Sequence, residues 1–321
     1  MSNISINRTE SSPNSISEDI EIRRRYKLQR LVRKITPYLF ISPFFIGFTV
    51  FSLFPMAYSI WLSLHRQNGL VSSGKFIGLQ NYSRLLQDDI FLKSLSNTSL
   101  WALGMILVML PVSLGLATLL NSRHLKGREF FKLLYFTPNV TTGVVIAIVF
   151  GLIFHDDFGL LNNYVMKPLG LPRVRWLEVG SAVIPALLIM GTWRWSGVNA
   201  LYFLNGMRSI NPDIIEAALI DGANQWQLFR YITFPLLRPI VIFLVTLTII
   251  GSFNTFAESA LLFGAEGGPE RAGLLTTMFL YNESFKSMRV GYGAAIGWLV
   301  AAIVISITIA QTWVLGLFRE D

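Results

Sequence analysis

Long apolar runs separated by short polar stretches dominate the chain. Six of them, 37–64, 97–120, 133–154, 179–204, 239–262 and 291–317, exceed the ~20 helical residues that cross a bilayer core of about 30 Å. Only two residues among Asp, Glu, Lys and Arg fall inside these runs, Arg194 and Glu258. None of the runs alternates apolar and polar positions as a barrel strand does. Lipid offers the backbone no hydrogen-bond partners, so each run must satisfy its own as a helix. The pattern predicts an all-α membrane protein, a six-transmembrane-helix bundle over 37–317, with tails 1–36 and 318–321 and a long loop 205–238.

Composition agrees with the pattern. Hydrophobic residues make up 52% of the 321 positions and charged residues 14%, against about a quarter in soluble domains. Mean hydropathy is +0.51. The N-terminal tail is Ser/Asn-rich over 1–20, where the composition predicts disorder. The first run is too long for a signal peptide, follows too long a polar segment and lacks a small-residue cleavage site. It reads as a retained helix, kinked or locally repacked around Pro43 and Pro55.

Lys and Arg near the span ends orient the bundle. The side holding both tails, 121–132 and 205–238 carries 16 basic residues, and the opposite loops 65–96, 155–178 and 263–290 carry 10. The bias is sharpest from Arg23-Arg24-Arg25 to Arg33-Lys34, before the first run, and in Arg123, Lys126, Arg128 and Lys132. Both termini are placed in the cytoplasm. Next to a membrane helix the basic run reads as a topology and lipid-headgroup signal, not a nucleic-acid arm.

Covalent chemistry is hard to find. Cysteine is absent, which removes disulfides and thiolate sites. His65, His124 and His155 stand in three separate loops without a second ligand at metal spacing. The stretch Gly69-Leu-Val-Ser-Ser-Gly74-Lys75-Phe76 approaches a phosphate-binding loop, yet Phe76 stands where Ser or Thr must hold magnesium. Gly291, Gly293 and Gly297 predict close helix packing at the start of the sixth run. The chain shows no means of using ATP itself and is not expected to be an enzyme.

The most specific segment runs from Ser209 to Pro239. Asn211 suits an N-cap, Pro212 the first helical position, and Asp213 and Glu216 the first turn. Gly222 suits a left-handed helix end. A second short helix over 224–232, stopped by Pro235, completes a helix–turn–helix, with Ile215, Ala218 and Leu219 as an apolar face for a partner's groove.

Glu216-Ala217-Ala218, three residues, Gly222, then Ile232 and Pro235 resemble the motif of permease subunits in binding-protein-dependent ABC importers. Phe76-Ile-Gly-Leu-Gln-Asn-Tyr82, Asn97-Thr98, Gly159-Leu-Leu-Asn162, Gly267-Gly268-Pro269 and Gly291-Tyr292 resemble sugar importers of the carbohydrate-uptake-1 type, in the lactose, arabinose and maltose larger-permease branch. The resemblance covers most of the chain beyond residue 20 and implies the type I ABC importer permease fold. It implies that Glu216, Ala217, Ala218, Asp221, Gly222 and Ala223 form or support the contact with a cytoplasmic ATPase. It also implies a second six-span permease as heterodimer partner, two ATP-binding subunits holding the ATP and Mg2+, and an extracytoplasmic solute-binding protein. No cofactor is expected on this chain, and its place is the bacterial inner membrane. Phe253 and Asn254 match positions that line the sugar site in maltose permeases; the other lining positions do not match.

Independently of any family, the two intramembrane charges need an account. Each costs roughly 2.5–3.5 kcal/mol at mid-bilayer on insertion scales, so both are expected to face the bundle interior. Asn254 and Glu258, four apart, are expected to share a helix face, with Trp193, Trp195, Asn199 and Phe253 nearby. Aromatic faces beside amides suit a sugar. A structural Arg194–Glu258 ion pair is the alternative. Two rival functions are an ion-gradient-driven secondary transporter with Glu258 as proton site, and a receptor or scaffold. The coupling motif alone also allows an ABC permease for a non-sugar solute.

Overall fold

The computed structural model describes residues 13–69, 74–122 and 125–314. Arg123, His124 and the tail from residue 315 lie outside the described residues. Helix accounts for 78% of the structure. Residues 1–59 and 60–321 form two compact units.

The first unit holds α1 (Pro13–Phe48) and the start of α2 (Phe54–Ser63), joined by a π turn at Thr49–Leu53. Helix thus begins inside the Ser/Asn-rich stretch of the tail. Pro37 and Pro43 lie within α1. The wide turn falls immediately before Phe54-Pro55, where the missing proline N–H would otherwise disturb the ladder. Tyr38, Phe40, Phe44 and Phe51 are exposed, as side chains facing lipid would be.

The second unit begins with a two-stranded hairpin, β1 (His65–Arg66) and β2 (Lys75–Phe76), with His65 opposite Phe76. Lys75 and Phe76 are therefore strand and open no phosphate-binding helix. Next come α3 (Gln80–Leu85), α4 (Asp89–Gly104), a π turn at Met105–Met109, and α5 (Leu110–Asn121). Asp88 caps α4, accepting from the amides of Ile90 and Phe91. Asp89–Asn121 is continuous enough to cross a membrane.

The apolar run 133–154 is not one straight helix. It divides into α6 (Arg128–Val140) and α7 (Gly143–Ile153), bent by 100°. Pro138 sits in the last turn of α6, and Thr141 turns extended at ψ 138°. α8 (Gly180–Ser209) follows, 30 residues long. Then come α9 (Pro212–Ile220), α10 (Gln225–Leu228), α11 (Phe234–Leu236) and α12 (Arg238–Phe253). The run 239–262 is also broken: α12 ends at Phe253, and α13 (Ala257–Phe263) starts anew. After α14 (Thr276–Tyr281), α15 (Val290–Val314) closes the fold. Among the described residues three helices are long and apolar enough to cross a membrane, and five if each of two bent pairs counts as one. The fourth run of the sequence, 179–204, corresponds to α8.

α8 is the hub of the second unit. Ala186, Leu187, Met190, Ala200, Phe203 and Leu204 are buried on it and join one core with Met105, Met109, Ala117 and Leu120. Small residues permit the close approach. A Cβ on Gly191 would overlap the Trp101 ring, and one on Gly197 would overlap the Tyr135 carbonyl of α6. At the start of α15, a Cβ on Gly291 would meet the His65 carbonyl, and one on Gly293 the Ser284 hydroxyl. Two glycines of the trio in the sixth run, Gly291 and Gly293, thus serve packing.

Candidate functional site

The loop between α8 and α12 folds as its caps dictate. Asn211 Oδ1 accepts from the Asp213 amide at 3.0 Å. Pro212 occupies the first turn of α9. The amides of Asp221 and Ala223 donate to the carbonyls of Ala217 and Ala218 at 3.0 and 2.9 Å, closing α9 across Gly222 at φ +85°. Asn224 and Gln227 then form a reciprocal capping box, at 2.8 and 2.9 Å. Pro235 does not stop the second helix. A π turn at Phe229–Thr233 widens the ladder ahead of it, α11 passes through Pro235, and the 63° bend falls at Leu237.

No residue of α9 is buried. Glu216, Ala217, Asp221 and Gly222 are exposed, while Ile215, Ala218 and Ala223 are half-buried. The open apolar face therefore differs from the one expected: Leu219 stays on it, Ile214 and Ile220 join it, and Trp226 stands beside it. Ile220 is 86% and Trp226 68% exposed. Helical spacing pointed inward to Ile215; a three-turn helix with no core to bury gave no signal for Ile220.

Arg194 and Glu258 meet. Nη1 donates to Oε1 at 2.9 Å, and the two side chains are 14% and 12% exposed. The guanidinium also lies 5.3 Å from the centre of the Trp195 ring. A Cβ on Gly143 would lie 3.6 Å from Arg194 Nη1, so the pair fills the crook between α6 and α7. Asn254 and Glu258 do not share a helix face. The helix ends between them, and the i,i+4 relation holds only within one helix. Asn254 Nδ2 donates to the Ile250 carbonyl at 2.8 Å, and Asn199 Nδ2 to the Trp195 carbonyl at 2.9 Å. Trp193 stands edge-on to Phe150 at 5.4 Å. Phe253 is 5% exposed and packs with Ala102 and Ile249 rather than on an open wall. A cavity of about 900 Å³ opens among α5, α6 and α8. Trp193 lines it together with Val108, Val112, Leu188 and Ile189, a mainly apolar surface.

The remaining motifs hold the loops of the other side. Asn97 Nδ2 donates to the carbonyls of Arg271 and Leu274 at 2.8 and 3.1 Å. The Thr98 and Thr276 hydroxyls pair at 2.9 Å. These bonds clamp the Gly267-Gly268-Pro269 loop to α4, with Glu270 and Arg271 both at positive φ. Asn162 donates to the Val174 carbonyl at 3.0 Å and accepts from Trp176 Nε1 at 3.2 Å. Asn81 donates to the Ser63 carbonyl at 2.7 Å, and the Tyr82 hydroxyl to Ser63 Oγ at 2.8 Å. In the loop before α15, burial pushes the Glu283 carboxyl up from its ordinary value and Asp88 adds to this, while Arg289 opposes it. No cluster of metal-ligating side chains occurs among the described residues.

Comparison with known proteins places this geometry. Residues 109–319 match the family of binding-protein-dependent transport system inner membrane components. The arabinooligosaccharides transport system permease protein AraP of Halalkalibacterium halodurans is 35% identical over 90% of this chain and 90% of its own. The lactose transport system permease protein LacF of Rhizobium radiobacter is 30% identical over 86% of this chain and 93% of its own. Among solved structures, a chain of a bacterial ABC transporter involved in the import of the acidic polysaccharide alginate superposes with a TM-score of 0.76. That chain is 21% identical, and the match covers 92% of this chain and 100% of that one.

Proposed function

The chain belongs to the family of binding-protein-dependent transport system inner membrane components, and on that premise we propose that it is the membrane-spanning translocation subunit of an ATP-driven importer for a sugar or oligosaccharide. The observation that carries this reading is the loop at 205–238. It is a doubly capped helix–glycine turn–helix with no buried residue in α9 and with large apolar side chains left uncovered. Such a face needs a partner. Two cytoplasmic ATPase subunits holding ATP and Mg2+ would seat it, and their closure would push α9 as a rigid body. That force would turn the bundle between inward- and outward-facing states. Energy comes from the partner, so this chain binds no nucleotide of its own.

On the opposite side the clamped loops 65–96, 155–178 and 263–290 offer preformed surfaces to a solute-binding protein. A second six-span permease would complete the path, with both termini in the cytoplasm. Trp195, Asn199 and Asn254 are the side chains left to meet a sugar, around the Arg194–Glu258 pair. Permeases for arabinooligosaccharides and for lactose among the relatives support a carbohydrate. Glu258 is already engaged by Arg194, which leaves an ion-coupled mechanism without an obvious proton site.

The test is Glu216→Lys in the assembled transporter. Reversal of charge on an exposed position should leave the subunits assembled and abolish stimulation of ATP hydrolysis by loaded binding protein. Normal uptake by that variant would remove α9 from the coupling contact.

A further inference from the structure

A second cavity lies on the side opposite the coupling loop, where the loops 65–96 and 263–290 meet the start of α15. It measures about 460 Å³ and is lined by Arg66, Gln67, Asn68, Ile77, Gln80, Asn81, Arg84, Arg289 and Tyr292. Three guanidiniums and four amides face it, and no Asp or Glu lines it. Arg289 is matched by Glu283, with which it forms an ion pair. Arg66 and Arg84 have no carboxylate within ion-pair distance among the described residues. The carboxylates of Glu283 and Asp88 lie behind the cavity, engaged by Arg289 and by the Tyr292 hydroxyl, and the lining itself carries no negative charge.

The arginine positions are built, not incidental. Arg84 and Arg289 stand 5.1 and 5.6 Å from the centre of the Tyr292 ring, whose hydroxyl donates to Asp88 Oδ2 at 2.7 Å. Asp88 in turn caps α4. The opposite wall is fixed by Asn81, which ties α3 to the chain at Ser63 and His65. It is fixed too by the Gly69 amide, which donates to the Met288 carbonyl at 2.7 Å.

The surroundings select the ligand. A sugar would want an open aromatic face, and Tyr292 is buried. Planar guanidiniums that converge on a lining free of carboxylates match the oxygens of a phosphate. The same segment that lines the cavity exposes Phe76, Leu79 and Leu86. Apolar side chains beside basic ones mark an element lying at a membrane interface. The cavity also sits at the first turn of α15, where a membrane-crossing helix begins. We propose that it is a phosphodiester site holding the headgroup of an anionic phospholipid, with the acyl chains lying over Phe76, Leu79 and Leu86. The orientation proposed above assigns this lipid to the outer leaflet; the binding itself does not rest on it.

The experiment uses the assembled transporter, reconstituted in nanodiscs of mixed phosphatidylglycerol and phosphatidylcholine. Lipids retained after release are counted by native mass spectrometry. Phosphatidylglycerol should be retained over phosphatidylcholine, and the double variant Arg66→Gln/Arg84→Gln should lose at least about tenfold of that preference. Lys93→Gln, a basic residue of the same side outside the cavity, should retain it. Equal retention by the double variant, or no preference between the lipids, overturns the proposal. So does inorganic phosphate that stabilises the protein against heat as well as phosphatidylglycerol does, since the ligand would then be the free ion. A changed binding-protein requirement at an unchanged lipid count would reassign the arginines to docking and also overturn it.

Discussion

At the scale of single residues, the ion pair of α8 and α13 matters most. Arg194 and Glu258 are both nearly buried, and among the described residues they pair with each other alone. Removing one leaves an uncompensated charge in an environment that cannot solvate it. Arg194→Ala should therefore cost about 3–5 kcal/mol of stability, whereas Arg194→Met combined with Glu258→Leu should recover most of that loss. Thermal melting of the purified complex in one detergent reads both. Additive losses in the double variant would show that the two charges do not act as a pair. The pairing was half legible beforehand. Two lone charges of opposite sign in otherwise apolar runs invite it, but their separation by 64 positions hides the distance.

At the scale of elements, the capped loop was the most legible part of the chain. Asn211-Pro212, Gly222 and Asn224 carry local chemistry that needs no tertiary context. Gly222 has open space around its missing Cβ, so any penalty there is backbone strain alone. Gly222→Ala should cost roughly 1–2 kcal/mol and weaken coupling, while Gly222→Asn should keep most of it, because Asn tolerates the left-handed region. Binding-protein-stimulated ATP hydrolysis measures the difference. Helix packing offers a contrasting glycine. Gly197→Ala forces a methyl into the Tyr135 carbonyl and should destabilise by about 1–3 kcal/mol. Gly251→Ala, with nothing nearby, should lie within ~0.5 kcal/mol of the parent in the same melting assay. The breaks at 141–142 and 254–256 were not legible. Hydropathy sums over a run and carries no direction, so two threonines before Gly143, or Asn254-Thr255, barely lower it. Yet these breaks turn α7 from α6 and separate Asn254 from Glu258.

At the scale of the whole molecule, membrane class and bundle architecture followed from run length and charge alone. The outer motifs were legible as family marks but not as clamps, because Asn97 reaches carbonyls more than 170 residues away. The absence of cysteine makes the proposed orientation directly testable. Single cysteines at Asn224 and at Asn163, both outside the apolar runs, should react with a membrane-impermeant maleimide from opposite sides. Asn224→Cys should label only after the cells are opened, and Asn163→Cys on intact spheroplasts. Labelling of both from one side would invert or break the topology.

The 100° crook between α6 and α7 also sets an order of events in biosynthesis. The guanidinium lodged in that crook is made long before its carboxylate, which emerges from the ribosome some 64 residues later. Until that carboxylate arrives the guanidinium lacks the partner it has in the folded chain, so the middle of the protein reaches its final arrangement only after its last third is made.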